Sequence, residues 1–181
     1  MSEKFNMHYV AAMEEAAALI SKQKCFEVMV CGCRKGKGKC SQSRMDVCLI
    51  FSSDSKGSGK DGRRVLSKAE VDELMQHAAL KHLVARPFRD PKHKEVVEGI
   101  CFCCADCCGY FLNREEPCDK GSLIQETDQG SCTDCGICVE FCYFGARKIK
   151  DGKLAVDFEE CYGCGLCAAA CPVGCVKLQK R

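Results

Sequence analysis

The sequence predicts an α+β chain in two parts. A cysteine-rich α+β region spans residues 1–120, and a small repeat-built domain spans 131–181, with a linker at 121–130. Three observations predict this. The chain has 181 residues, 46% of them apolar, which supports a buried core and either one ordinary domain or two small ones. Helix-period and strand-like apolar patterns both occur before residue 110. A four-cysteine motif then recurs near the C-terminus at a fixed offset, which marks two copies of one structural unit.

The elements follow in order. Residues 6–20 place Val10, Met13, Ala17 and Ile20 close to one helical face. Cys25–Val30 and Val47–Phe51 are short β-rich runs and predict two strands. Between them, residues 31–40 read as a glycine-rich basic loop bearing Arg34, Lys35, Lys37 and Lys39. Residues 52–64 are rich in Ser, Gly and Lys and read as a loop. Ser67 opens the clearest helix. Ser67 with Glu70 makes a capping box, and Leu66 with Val71 a hydrophobic staple. Val71, Leu74, Met75, Ala78 and Ala79 continue at helical spacing, and Pro87 and Pro91 are expected to stop the helix.

Composition narrows the chemistry. Lys plus Arg is 27 and Asp plus Glu is 25, a formal charge of +2 that argues against a nucleic-acid partner. Cysteine, at 20 residues, is the outlier, and it points either to a disulfide scaffold or to metal. Met1–Lys24 carries Glu14 and Glu15 in its middle and lacks an apolar core with a cleavage site, so it does not read as a secretion signal. No run approaches about 20 apolar residues, so no membrane span is expected. The expected location is the cytoplasm, where thiols stay reduced and dense cysteines in short repeated spacings mean metal.

The repeat carries the strongest signal. Cys132, Cys135, Cys138 and Cys142 recur as Cys161, Cys164, Cys167 and Cys171, each 29 residues on, and Gly136 and Gly145 recur as Gly165 and Gly174. A cubane cluster has four iron corners, each wanting one thiolate. Two-residue gaps let three successive thiolates take three corners, and the next cysteine faces the other cluster. This assigns one [4Fe–4S] cluster to Cys132, Cys135, Cys138 and Cys171, and a second to Cys161, Cys164, Cys167 and Cys142. Zinc sites usually take two separated pairs, which fits this pattern less well. Cys175, at the repeat position of Ala146, reads as an apolar filler.

Residues 131–181 resemble the bacterial two-cluster ferredoxins, with all eight ligand positions in register and Tyr143 where the first motif often has proline. The resemblance implies a ferredoxin-like two-cluster fold. The wider pattern resembles a group of 4Fe–4S binding proteins of anaerobes. The matching features are Cys31-Gly-Cys33-Arg34, then Cys40 and Cys48, then a helix, and then Ile100-Cys101-Phe-Cys103-Cys104-Ala-Asp-Cys107-Cys108. That resemblance implies an anaerobic redox setting.

The N-terminal cysteines leave three readings open: a third iron–sulfur cluster, a structural zinc site, or thiols without metal. The ligand set expected for an extra site is Cys33, Cys40, Cys48, Cys104 and Cys107. Neighbours such as Cys103 and Cys104 do not easily reach one small ion together. Gly57–Lys60 lacks the full phosphate-loop pattern, and the four histidines show no i, i+4 metal pair with a carboxylate. No Ser/His/Asp set or dinucleotide fingerprint marks an independent catalytic site.

The expected function is electron transfer: single electrons carried at low potential between a donor and a partner reductase, with redox proteins as partners. Two alternatives stay open. One is a subunit of an anaerobic oxidoreductase whose N-terminal cysteines hold an additional cluster acting on a substrate. The other is a redox or metal sensor. The sequence does not fix the oligomeric state.

Overall fold

A computed structural model describes residues 5–52, 62–113 and 116–181. The Gly57–Lys60 segment and most of the 52–64 loop lie outside the described residues.

The mixed α/β architecture fits the expected α+β class. Seven strands form one sheet: β1 (His8–Tyr9), β2 (Cys25–Val30), β3 (Asp46–Ser52), β4 (Arg64–Leu66), β5 (Val84–Arg89), β6 (Val97–Cys103) and β7 (Cys118–Asp119). Their spatial order is β4-β2-β3-β6-β5-β1-β7. All neighbours are antiparallel except β1 with β7.

Two helices, α1 (Met13–Ser21) and α3 (Lys68–Leu80), supply Ala16, Ile20, Val71, Leu74 and Ala78 to the main core. The sheet answers with alternate residues: Phe26 and Val28, Val47 and Leu49, Ile100 and Phe102. This period-2 selection sends Cys48, Cys101 and Cys103 to the opposite face. Each large apolar side chain buried here contributes roughly 1.5–3 kcal/mol.

Several expectations change in detail. The 6–20 run splits into β1 and α1, and Val10–Ala12 between them is buried. Residues 31–40 are not all loop: Gly32–Lys37 form α2, closed by left-handed Gly38 (φ 82°). The capping box at α3 forms as expected. Ser67 Oγ accepts from Glu70 N at 3.3 Å, and Ser67 N donates to the Glu70 carboxylate at 2.8 Å. Pro87 and Pro91 do not stop this helix. It ends at Leu80, His82 turns left-handed (φ 48°), and Pro87 lies within β5.

The main correction concerns the linker. Residues 123–127 are β8 (Leu123–Thr127), which pairs antiparallel with β11 (Val176–Lys180) along its whole length. The strand before the first cysteine motif thus pairs with the strand after the second. Between them, β9 (Arg147–Lys150) and β10 (Lys153–Val156) form the matching hairpin. The two short helices α5 (Ile137–Glu140) and α6 (Leu166–Ala169) sit at the repeat offset. Backbone conformation repeats as well: Asp134 and Gly163, Gly136 and Gly165, and Gly145 and Gly174 all have positive φ.

The two parts of the chain pack together. Val10, Val84, Cys103, Cys108 and Tyr110 share one buried cluster with Phe144 and Leu166. Tyr110 and Phe111 of α4 (Gly109–Asn113) meet Phe144 at ring separations of 6.2 and 5.2 Å. Gln42 Nε2 also donates to the Tyr143 hydroxyl at 2.6 Å.

Candidate functional site

Two cavities lie in the C-terminal part. The first spans ≈ 320 Å³ of space, part of it open to solvent, and is lined by Cys132, Cys135, Cys138 and Cys171, with Cys175 beside them. The second spans ≈ 360 Å³, also partly open to solvent, and is lined by Cys142, Cys161, Cys164 and Cys167. The left-handed residues at each motif explain how three cysteines reach one cavity. Gly136 and Gly165 turn the chain into α5 and α6, so each motif wraps its own cavity. At Gly163 only a hydrogen fits, because an added Cβ would lie 2.1 Å from the Leu123 carbonyl oxygen.

Burial within the second cavity pushes the Cys164 thiol up to about 12, and the Cys167 thiol is raised for the same reason. Two thiols so raised ionise together only beside a cation, and the four-cysteine donor set suits a soft, thiolate-bound metal. Cys175 is buried, and its thiol lies 3.5 Å from that of Cys171.

Arg147 stands between the cavities. It is 2% exposed, lines the second cavity, and donates from Nη1 to Cys138 Sγ of the first at 3.2 Å. Its other nitrogen donates to the Gln125 side-chain oxygen and to Thr127 Oγ1, the latter at 2.9 Å. Arg147 and Gln125 occupy the repeat positions of Val176 and Leu154, both buried and apolar. The first copy thus replaces an apolar pair by a buried cation and its acceptor. Sequence reading passed over this exchange, although the 29-residue offset exposes it.

The N-terminal thiols form separate groups. Cys40, Cys104 and Cys107 converge, with Sγ separations of 3.6, 3.3 and 3.4 Å. Cys33 and Cys48 do not join them. Cys33 is exposed on α2 and accepts from Gly109 N at 3.5 Å. Cys48 faces its cross-strand partner Cys101, 3.9 Å away, because side chains directly opposite on paired strands are neighbours. Cys103 and Cys104 diverge, Cys103 toward Arg86 at 3.8 Å and Cys104 toward Arg34 at 3.7 Å. Arg86 also donates to Cys108 Sγ at 3.5 Å and lies over the Tyr110 ring. Among the described residues, the three buried arginines, Arg34, Arg86 and Arg147, therefore abut cysteine sulfur. All twenty thiols are free.

His8 lies 4.0 Å from Cys101 Sγ and pairs with Glu116. Burial opposes its protonation, but its hydrogen bonds with Cys101 and Glu116 prevail and lift its pKa to about 9.

Residues 131–175 match the sequence family described as a 4Fe-4S dicluster domain. The match covers all eight cysteines that line the two cavities, so this part of the chain is an iron–sulfur domain. No curated protein matches the chain. No helix among the described residues is long and apolar enough to cross a membrane.

Proposed function

We propose that the chain is an electron-transfer protein that holds two [4Fe–4S] clusters, the first on Cys132, Cys135, Cys138 and Cys171, the second on Cys161, Cys164, Cys167 and Cys142. The observation that carries this reading is the crossed grouping of these eight cysteines around two cavities. When bound, such clusters supply reversible one-electron chemistry.

The chain's own residues set the conditions for it. The eight thiolates fix the position of each site, and Arg147 places a positive charge against both. Phe144 stacks on Tyr162 at 4.3 Å, and both line the second cavity, giving it an aromatic wall. The first cavity reaches the surface. Cys135 is exposed, and Val173, on the same rim, is 49% exposed. This apolar rim is the surface at which a redox protein docks and exchanges electrons. Dense cysteines in metal-ligand spacings fit a cytoplasmic setting, which keeps thiols reduced.

The test is reductive titration of the anaerobically purified full chain, followed by electron paramagnetic resonance. The expected result is two reversible one-electron reductions, with two reduced clusters per chain showing mutual spin coupling. A single uncoupled cluster, or no reducible centre, overturns the proposal.

A further inference from the structure

We propose that Cys40, Cys104 and Cys107 hold one zinc ion, a mononuclear site separate from the iron–sulfur domain. The argument starts from sulfur spacing. Bonds of about 2.3 Å from zinc to thiolate at tetrahedral angles separate the sulfurs by about 3.8 Å. The three thiols here stand 3.3, 3.4 and 3.6 Å apart. An ion bonded at about 2.3 Å to all three would sit about 1.2 Å out of their plane, and widening the triangle by a few tenths of an ångström gives three corners of the tetrahedron, the fourth falling to a water or another small ligand.

A cubane does not fit the same triangle. Each of its thiolates binds a different iron corner, so the sulfurs stand apart by the width of the cluster and do not touch. The chain offers its own comparison. The eight C-terminal cysteines line open cavities, whereas among the described residues only Cys40, Cys104 and Cys107 form a group of three ligand atoms within 4.8 Å of one another. Their spacing agrees: Cys104 and Cys107 make a two-residue-gap pair, and Cys40 arrives from a distant loop.

Charge supports the same assignment. Arg34 is 1% exposed, and its Nη2 lies 3.7 Å from Cys104 Sγ. Among the described residues no carboxylate forms an ion pair with it. A buried guanidinium needs a compensating anion. Three thiolates on a divalent ion carry one net negative charge, which Arg34 balances. Its remaining contacts, to the carbonyls of Phe102 and Arg44 and to Ser43 Oγ, hold it in place.

The surrounding loops are already drawn together. The Asp106 carboxylate, between the paired cysteines, accepts from Ser41 N at 2.9 Å and from Lys37 Nζ at 2.8 Å. Zinc at this position pins the α2 loop to the 104–107 turn and orders the basic segment beside it. The proposal does not depend on the iron–sulfur reading.

The test uses the full chain purified anaerobically, with zinc, iron and acid-labile sulfide counted in wild type, Cys104→Ser and Cys33→Ser. The expected result is about one zinc per chain in wild type and Cys33→Ser, lost in Cys104→Ser, with iron and sulfide unchanged in all three. Zinc-edge X-ray absorption on the wild type should show three sulfurs at about 2.3 Å, which keeps the proposal testable if Cys104→Ser does not fold. Parallel loss of iron and sulfide in a folded Cys104→Ser protein, zinc retained in that variant, or no zinc in the wild type each overturns it. Zinc bound as expected in a chain without iron would instead overturn only the electron-transfer proposal.

Discussion

Replacing Arg147 by methionine should lower the potentials of both proposed clusters. The guanidinium is 2% exposed and donates to Cys138 Sγ at 3.2 Å, so little water screens it. Were a cluster centre about 6 Å from this charge at an effective dielectric near 20, the charge would favour the added electron by about 2.8 kcal/mol. That is about two decades in the redox equilibrium, or roughly 120 mV for one electron. Loss of the hydrogen bond to sulfur acts in the same direction. Protein-film voltammetry on Arg147→Met, with iron content matched to wild type, should show a fall on the order of 100 mV. Arg147→Lys keeps the charge and should fall less. Unchanged or raised potentials in Arg147→Met, or an equal fall in Arg147→Lys, would refute the reasoning.

Other perturbations give further tests. Gly163→Ala forces a side chain into left-handed backbone and against the Leu123 carbonyl, whereas Gly152→Ala meets nothing within 4 Å. Backbone strain of about 1–3 kcal/mol applies to both, so Gly163→Ala should be clearly less stable than Gly152→Ala in denaturant titrations. Ser67→Ala removes the α3 cap and should cost about 1 kcal/mol. That corresponds to a fall of about 2–4 °C in Tm for a chain of this size. The raised pKa of His8 means its protonated form stabilises the fold. That contribution is complete below the unfolded value of about 6.5 and is lost as pH rises through about 9. The stability advantage of wild type over His8→Gln, followed from pH 6 to 9.5, should shrink across that window. An advantage that grows with pH contradicts the assignment.

What the sequence revealed tracks how local each signal is. The Ser67 cap, the α3 stripe and the β2 and β3 runs are local patterns, and each appears where expected. The cysteine repeat is local twice over, and it carries the grouping of eight cysteines around two cavities. β8 went unseen because its partner β11 lies about fifty residues downstream and Leu-Ile-Gln-Glu-Thr is a weak strand pattern. Extending the 29-residue offset backward, from Leu154 of β10 to Gln125, would have revealed it. α2 went unseen because Gly32 and Gly36 take up two of its six positions and glycine is poor helix material; the buried Arg34 anchors it instead. In the N-terminal region, spacing does not say which thiols converge. The sheet decides, by setting Cys48 against Cys101 and turning Cys103 away from Cys104.

The most direct test of the central claim is iron and acid-labile sulfide per chain on anaerobically purified protein. The account predicts about eight of each in wild type. It also predicts that Cys142→Ser perturbs the cluster of the second motif, while Cys171→Ser perturbs that of the first. Zinc without sulfide, or four iron in a fully loaded chain, would contradict it.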